Sequence, residues 1–152
     1  MSSFKLKTVP TDHPDLIGLV EELNAFFVEE WGETVNASYS KHHDLSNMNT
    51  AVVAYIQDVP VGCGCWKLID ENTPEIKRMY VQKAYRGQQI SQKILAHLEA
   101  DIKKHLYKEA VLETGKDMTQ AIRFYQKQGY KIVPNFGEFV DDELCTCLVK
   151  KL

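Results

Sequence analysis

Glu75-Ile76-Lys77-Arg78-Met79-Tyr80-Val81-Gln82-Lys83-Ala84-Tyr85-Arg86-Gly87-Gln88-Gln89-Ile90-Ser91 changes its period halfway along. Up to Val81 it reads as a strand, although its first half carries Glu75, Lys77 and Arg78. From about Gly87 the apolar residues take helical steps, and Ile90, Ile94, Leu95, Leu98, Ile102 and Leu106 mark one face of a long helix. A strand that feeds such a helix should be central and covered on both faces. Three charges there are costly to bury unless they are paired or face a wet cleft. The other readings are an edge strand or paired surface charges. The basic, glycine-containing turn between strand and helix suits an anion, because free N–H groups and the positive dipole end point at whatever sits there. Its plain alternative is an ordinary strand-to-helix connection.

Working outward, Phe4 to Val9 reads as a first strand closed by Pro10. Asp12 or His13-Pro14 then starts a helix, with proline in its first turn. Leu16, Leu19, Val20, Leu23, Phe26 and Phe27 recur at three- and four-residue steps up to about Trp31-Gly32. Glu33 to Asn49 is polar, carries Tyr39, His42 and His43, and reads as loop with one short helix. Ala51–Ile56 and Val61–Ile69 form a hairpin through Gln57-Asp58-Val59-Pro60, and Glu71-Asn72-Thr73-Pro74 turns into the strand quoted above. Downstream come a short strand at 110–114, a helix from about Thr119 to Gln128 capped by Gly129, and strands at 130–133 and 144–150. The order is mixed α/β, with one strand–helix–strand crossover at the centre.

The 152 residues suffice for one compact domain, spanning 1–152. A composition 44% hydrophobic and 26% charged excludes disorder and collagen-like readings. The formal charge of −3 gives no global field for nucleic acid or an anionic membrane, and no apolar stretch is long enough to span a bilayer. A soluble cytoplasmic protein is therefore expected. The pairs Cys63-Gly64-Cys65 and Cys145-Thr146-Cys147 have only one intervening residue, against the two to four usual for structural zinc. Buried thiols in strands are expected in place of a metal site.

Glu75 to Val81 followed by Tyr85-Arg86-Gly87-Gln88-Gln89-Ile90-Ser91 resembles the acetyl-CoA signature of the GNAT superfamily of N-acetyltransferases, in its small bacterial single-domain form. Leu112-Glu113-Thr114-Gly115, Ala121-Ile122-Arg123-Phe124-Tyr125 and Gln128-Gly129-Tyr130 resemble that superfamily's second conserved block. The resemblance implies a mostly antiparallel, twisted sheet with helices on both faces and a splayed parallel strand pair at the centre. It also implies acetyl-CoA as co-substrate, with the backbone of Met79, Tyr80 and Val81 along the pantetheine arm. Arg86, Gly87, Gln88, Gln89, Ile90 and Ser91 then surround the pyrophosphate. Gln89 stands where the family has glycine, and Ser91 where it has Gly or Ala; the first change bears on cofactor affinity.

By the same resemblance, Glu75 occupies a general-base position and Tyr125 a position aimed at the coenzyme sulfur. An acceptor amine must be neutral to attack, and a departing thiolate needs a proton or a hydrogen bond, which a phenol supplies. The plain alternatives are an ion pair for Glu75 and a core ring for Tyr125. Because Phe124 and Tyr125 point about 100° apart on a helix, only one can face the core fully. The loop Asn135 to Glu143 carries four acids, which favour a cationic acceptor, either a small-molecule amine or a peptide. Direct transfer without an acetyl-enzyme, no metal, and a homodimer as one possible assembly complete the expectation. The rival is a CoA-binding or partner-binding module of the same fold with weak or lost catalysis, motivated by Gln89.

Overall fold

The computed structural model describes residues 3–38 and 45–152. In chain order the elements are β1 (Phe4–Val9), α1 (Pro14–Ser38), β2 (Thr50–Ile56), β3 (Val59–Asp70), β4 (Thr73–Val81), α2 (Ile90–Lys104), β5 (Glu109–Gly115), α3 (Thr119–Lys127), β6 (Lys131–Val133) and β7 (Cys145–Lys151). Short 3-10 turns lie at Leu45–Asn47, Lys83–Tyr85 and Gly137–Phe139. The strands follow the order β1-β2-β3-β4-β5-β7-β6. β1–β2, β2–β3, β5–β7 and β6–β7 are antiparallel, and β4–β5 is parallel. The mixed α/β class read from the sequence is the class observed, and β4 is an internal strand, which removes the edge-strand reading of its charges. No helix among the described residues is long and apolar enough to cross a membrane.

By contacts the chain forms two compact units, Met1–Lys67 with Lys77–Leu98, and Leu68–Ile76 with Glu99–Leu152. In the first, alternation along β3 separates two packed faces. Cys63 and Cys65 join a core with Leu16, Leu19 and Val20 of α1 and with Val53 and Tyr55 of β2. Gly62 and Gly64 point the other way, toward Ile94 of α2. Gly64 is required there: a Cβ would lie 2.6 Å from Met79 Sδ, 2.8 Å from Ile94 and 2.9 Å from Leu98. Leu16, at 0% exposure, anchors the α1 face; truncating such a leucine to alanine costs about 2–5 kcal/mol.

Several boundaries differ from the sequence reading, each for a local reason. The start of α1 is one of the two expected, His13-Pro14: His13 Nδ1 accepts the Asp15 N–H at 3.1 Å, with Pro14 in the first helical position. The helix continues through Gly32 to Ser38 instead of ending there, because one glycine costs a helix only about 1 kcal/mol and no proline follows. Tyr39, His42 and His43 lie outside the described residues. The β2–β3 turn is two residues, Gln57 and Asp58, both left-handed (φ 51° and 66°), so Val59 and Pro60 already belong to β3. Pro74 likewise lies inside β4. Leu106 does not share the buried face of α2. It follows the helix in the left-handed region (φ 70°) and is 85% exposed, while Leu106 N–H bonds Lys103 O and Tyr107 N–H bonds Ile102 O. That is a Schellman stop with leucine in glycine's usual place.

In the second unit, β7 pairs with β5 along its whole length and with β6 over three residues. The nine-residue β4 and seven-residue β5 share the register Glu75↔Val111. Gly129 (φ 101°) ends α3 as expected, and Tyr130 N–H returns to Tyr125 O at 3.0 Å.

Candidate active site

The charged half of β4 is buried: Glu75 is 1% exposed, and Lys77 and Arg78 are nearly as enclosed. Arg78 sits at φ 58° inside the strand, the kind of local kink a bulge produces. Its guanidinium donates to Asn24 Oδ1 of α1 and lies 5.9 Å from the Phe27 ring, while its carbonyl accepts from Cys63 Sγ at 3.3 Å. Past this kink Met79 and Tyr80 are half-buried. The Tyr80 hydroxyl donates to Glu22 Oε1 (3.1 Å), and burial together with that carboxylate holds its pKa above the usual phenol value.

The strand then enters the basic turn. Arg86 Nε donates to Val81 O at 2.9 Å, which ties the turn to the strand it leaves. Gly87 (φ 82°) and Gln89 (φ 63°) both lie in the left-handed region. Gln89 therefore adopts the backbone that glycine favours, at a cost of about 1 kcal/mol. Its carbonyl accepts from Lys93 N–H (3.1 Å), opening the 15-residue α2, whose first N–H groups have no partner within the helix. Arg86, Gly87, Gln88 and Gln89 are exposed, Ser91 is half-buried and Ile90 is buried. Charge, exposed backbone and helix dipole thus converge on one turn that can hold a diphosphate.

The second unit holds Glu75 and Tyr125. Tyr125 is buried and Phe124 only half so, the division expected from their 100° separation. Tyr125 packs edge-on against Phe124 (5.1 Å) and Tyr130 (5.7 Å). Burial, with a smaller push from the Glu113 charge, raises its hydroxyl well above the ordinary phenol value. Sequence reasoning places Glu113 in the second motif block but gives it no role. It faces Cys147 across the β5–β7 ladder, and its charge reaches both Tyr125 and Cys147. The available signal was a carboxylate in the otherwise apolar run Ala110-Val111-Leu112-Glu113. Cys147 also feels Glu75 and Asp142; burial is the main cause of its raised pKa, and the Phe136 N–H opposes it. An un-ionised thiol among carboxylates is a poor nucleophile.

The acidic loop is built on itself. Asn135 Nδ2 donates to Asp142 O (3.0 Å) and Cys145 O (3.2 Å), and Asp142 Oδ1 accepts the Leu144 N–H. Phe139 is buried against Phe136, leaving Asp141 and Glu143 exposed. Asp142 thus has a structural task, while Asp141 and Glu143 face solvent.

A model described as the Acetyltransferase (GNAT) family matches residues 16–130, a stretch running through both units. The chain belongs to the GNAT acetyltransferase family. It is 28% identical over 142 residues to the IAA acetyltransferase of Azospirillum brasilense, covering 90% of each chain. A candidate acyl-CoA N-acyltransferase from Klebsiella pneumoniae superposes with a TM-score of 0.80 at 26% identity, over 98% of this chain and 97% of that one. PaiA N-acetyltransferase from Thermoplasma acidophilum, solved with coenzyme A, shares the fold at a TM-score of 0.77 and 19% identity, over 99% of both chains. The GNAT resemblance and the acetyltransferase class read from the motifs are therefore correct, and the left-handed Gln89 belongs to the turn that reading singled out.

Proposed function

We propose that this GNAT acetyltransferase works as one domain that moves an acetyl group from acetyl-CoA to a primary amine of a small molecule or peptide, by direct attack in a ternary complex. The observation that carries the proposal is the turn at Arg86–Ser91. Its two left-handed residues, braced arginine and free helix N–H groups fit a diphosphate. Acetyl-CoA supplies the activated acyl group. Met79, Tyr80 and Val81 offer backbone to its pantetheine arm, and N–H groups there are the candidates for stabilising oxyanion charge. Glu75 takes the proton of the attacking amine as the new C–N bond forms. As the C–S bond breaks, the leaving sulfur accepts a hydrogen bond from Tyr125, whose raised pKa keeps it protonated and a hydrogen-bond donor throughout the neutral range. Glu75 then gives up its proton to solvent and the released CoA thiolate takes one from solvent, so that one proton passes overall from amine to sulfur and both side chains end as they began.

Asp141 and Glu143 support a cationic acceptor over nucleic acid or an anionic membrane. Four cysteines outside any disulfide support a reducing, cytoplasmic setting. The test is CoA release from acetyl-CoA with n-butylamine, phenethylamine and Nα-acetyl-lysinamide. Turnover of at least one amine is expected, and Tyr125→Phe should cut kcat by about 10-fold or more while the KM for acetyl-CoA stays within about twofold. Binding of acetyl-CoA with no turnover on any amine would favour the non-catalytic module.

A further inference from the structure

Glu99, Tyr130 and Lys150 come from α2, the connection between α3 and β6, and β7, yet they meet in one partly buried group. The Tyr130 hydroxyl donates to Glu99 Oε2 at 2.8 Å, and Lys150 Nζ lies 3.0 Å from Glu99 Oε1. The same ammonium stands 5.8 Å from the Tyr130 ring centre. Both carboxylate oxygens of Glu99 are therefore engaged, one by a phenol and one by a cation. Gly129 makes room for this arrangement, since a Cβ there would come within 3.3 Å of Lys150 Cε. Tyr130 is 2% exposed, and burial together with the Glu99 charge holds its hydroxyl far above the ordinary phenol value. It is a fixed donor and not a proton relay.

What this group holds is Tyr125. The Tyr130 ring meets the Tyr125 ring edge-on at 5.7 Å and an interplanar angle of 72°, and the Tyr130 N–H bonds the Tyr125 carbonyl. Phe124 supports another part of the same ring. Catalytic groups need to be held to within about half an ångström by neighbours that are themselves locked. The Tyr130 ring alone would fill the space; its tether to Glu99 fixes the angle at which the two rings meet. We infer that Glu99 is a positioning residue for the reaction, setting the orientation of Tyr125 through the hydrogen bond it accepts from Tyr130. The inference rests on the reading of Tyr125 as the group that serves the leaving sulfur.

The experiment is a double-mutant cycle between Tyr130→Phe and Tyr125→Phe, assayed with acetyl-CoA and the amine of the panel above that is turned over fastest. Tyr130→Phe keeps the ring and loses the tether. It should lower kcat about 5- to 20-fold with the KM for acetyl-CoA within about twofold, and cause no further loss in the Tyr125→Phe background. Glu99→Gln still accepts from Tyr130 and should keep at least about half of the kcat, whereas Glu99→Leu should match Tyr130→Phe. If Tyr125→Phe is slow but Tyr130→Phe is within about twofold of the parent, or if the two losses multiply, Glu99 and Tyr130 serve only stability and the inference is overturned. If Tyr125→Phe itself turns over normally, or no amine reacts, the underlying reading fails and the inference falls with it; those results are distinct from the first.

Discussion

Arg86 reaches back with Nε to the carbonyl of Val81, 2.9 Å away, so the side chain at the mouth of the turn also fastens the turn to its strand. Lysine at this position would keep the charge and lose the planar fork that makes the brace. Arg86→Lys is expected to raise the Kd for acetyl-CoA by about 5- to 10-fold and Arg86→Ala by more, read by isothermal titration. Equal affinity in the lysine variant would show that charge alone matters at this turn.

Gln89 occupies the left-handed region without being glycine. Gln89→Gly removes that strain and the side chain beside the helix N-terminus, while giving the unfolded chain more freedom. The balance is an expected gain of at most about 0.5 kcal/mol in stability, with tighter acetyl-CoA binding. Urea unfolding and titration of the cofactor check the two halves separately. Weaker binding in the glycine variant would mean that the glutamine side chain itself contacts the ligand.

Gly64 faces Met79, Ile94 and Leu98 at distances no real Cβ tolerates. The Met79 thioether can move aside, but the two branched side chains of α2 cannot both do so in a close-packed face. Gly64→Ala should therefore destabilise by about 1–3 kcal/mol in urea unfolding, whereas Gly18→Ala, with nothing within 4 Å, should not destabilise at all.

Tyr55 of β2 donates to Asp15 Oδ2 of α1 at 2.6 Å. Burial first, and Asp15 second, push its pKa up to about 12 from 10.0. Because the folded value is the higher one, this contribution is complete below about pH 10 and is lost as pH rises through about 12. The stability difference between the parent and Tyr55→Phe should be constant from about pH 7 to 9 and shrink at about pH 11, measured by urea unfolding. A difference that does not change with pH would remove the hydroxyl–carboxylate bond as its source.

The fold was largely legible because its decisive signals are local. The switch from period two to period 3.6 between Val81 and Ile90 marks a crossover, and a crossover of that kind demands a parallel pair. What stayed hidden depends on pairs far apart in sequence. Nothing in the neighbours of Glu99 announces a partner at 130 or 150, and nothing around Arg78 points to Asn24. The charges on β4 read as a puzzle until α1 supplied an amide and an aromatic ring to cover one of them. Leu106 misled for the opposite reason: its spacing fits the apolar stripe of α2, but a Schellman stop turns it to solvent. The diphosphate turn was legible as a motif, while the backbone angle that admits Gln89 was not.

The four thiols lie two in each compact unit, Cys63 and Cys65 in one, Cys145 and Cys147 in the other. Thiol reagents attack the thiolate, and burial holds Cys65 at a pKa of about 12, with Cys63 and Cys147 also raised. Each pair is in effect a silent clock that starts only when its own half of the molecule opens. Pulsed alkylation followed by peptide mapping would time the two openings independently, with no label added and no residue changed.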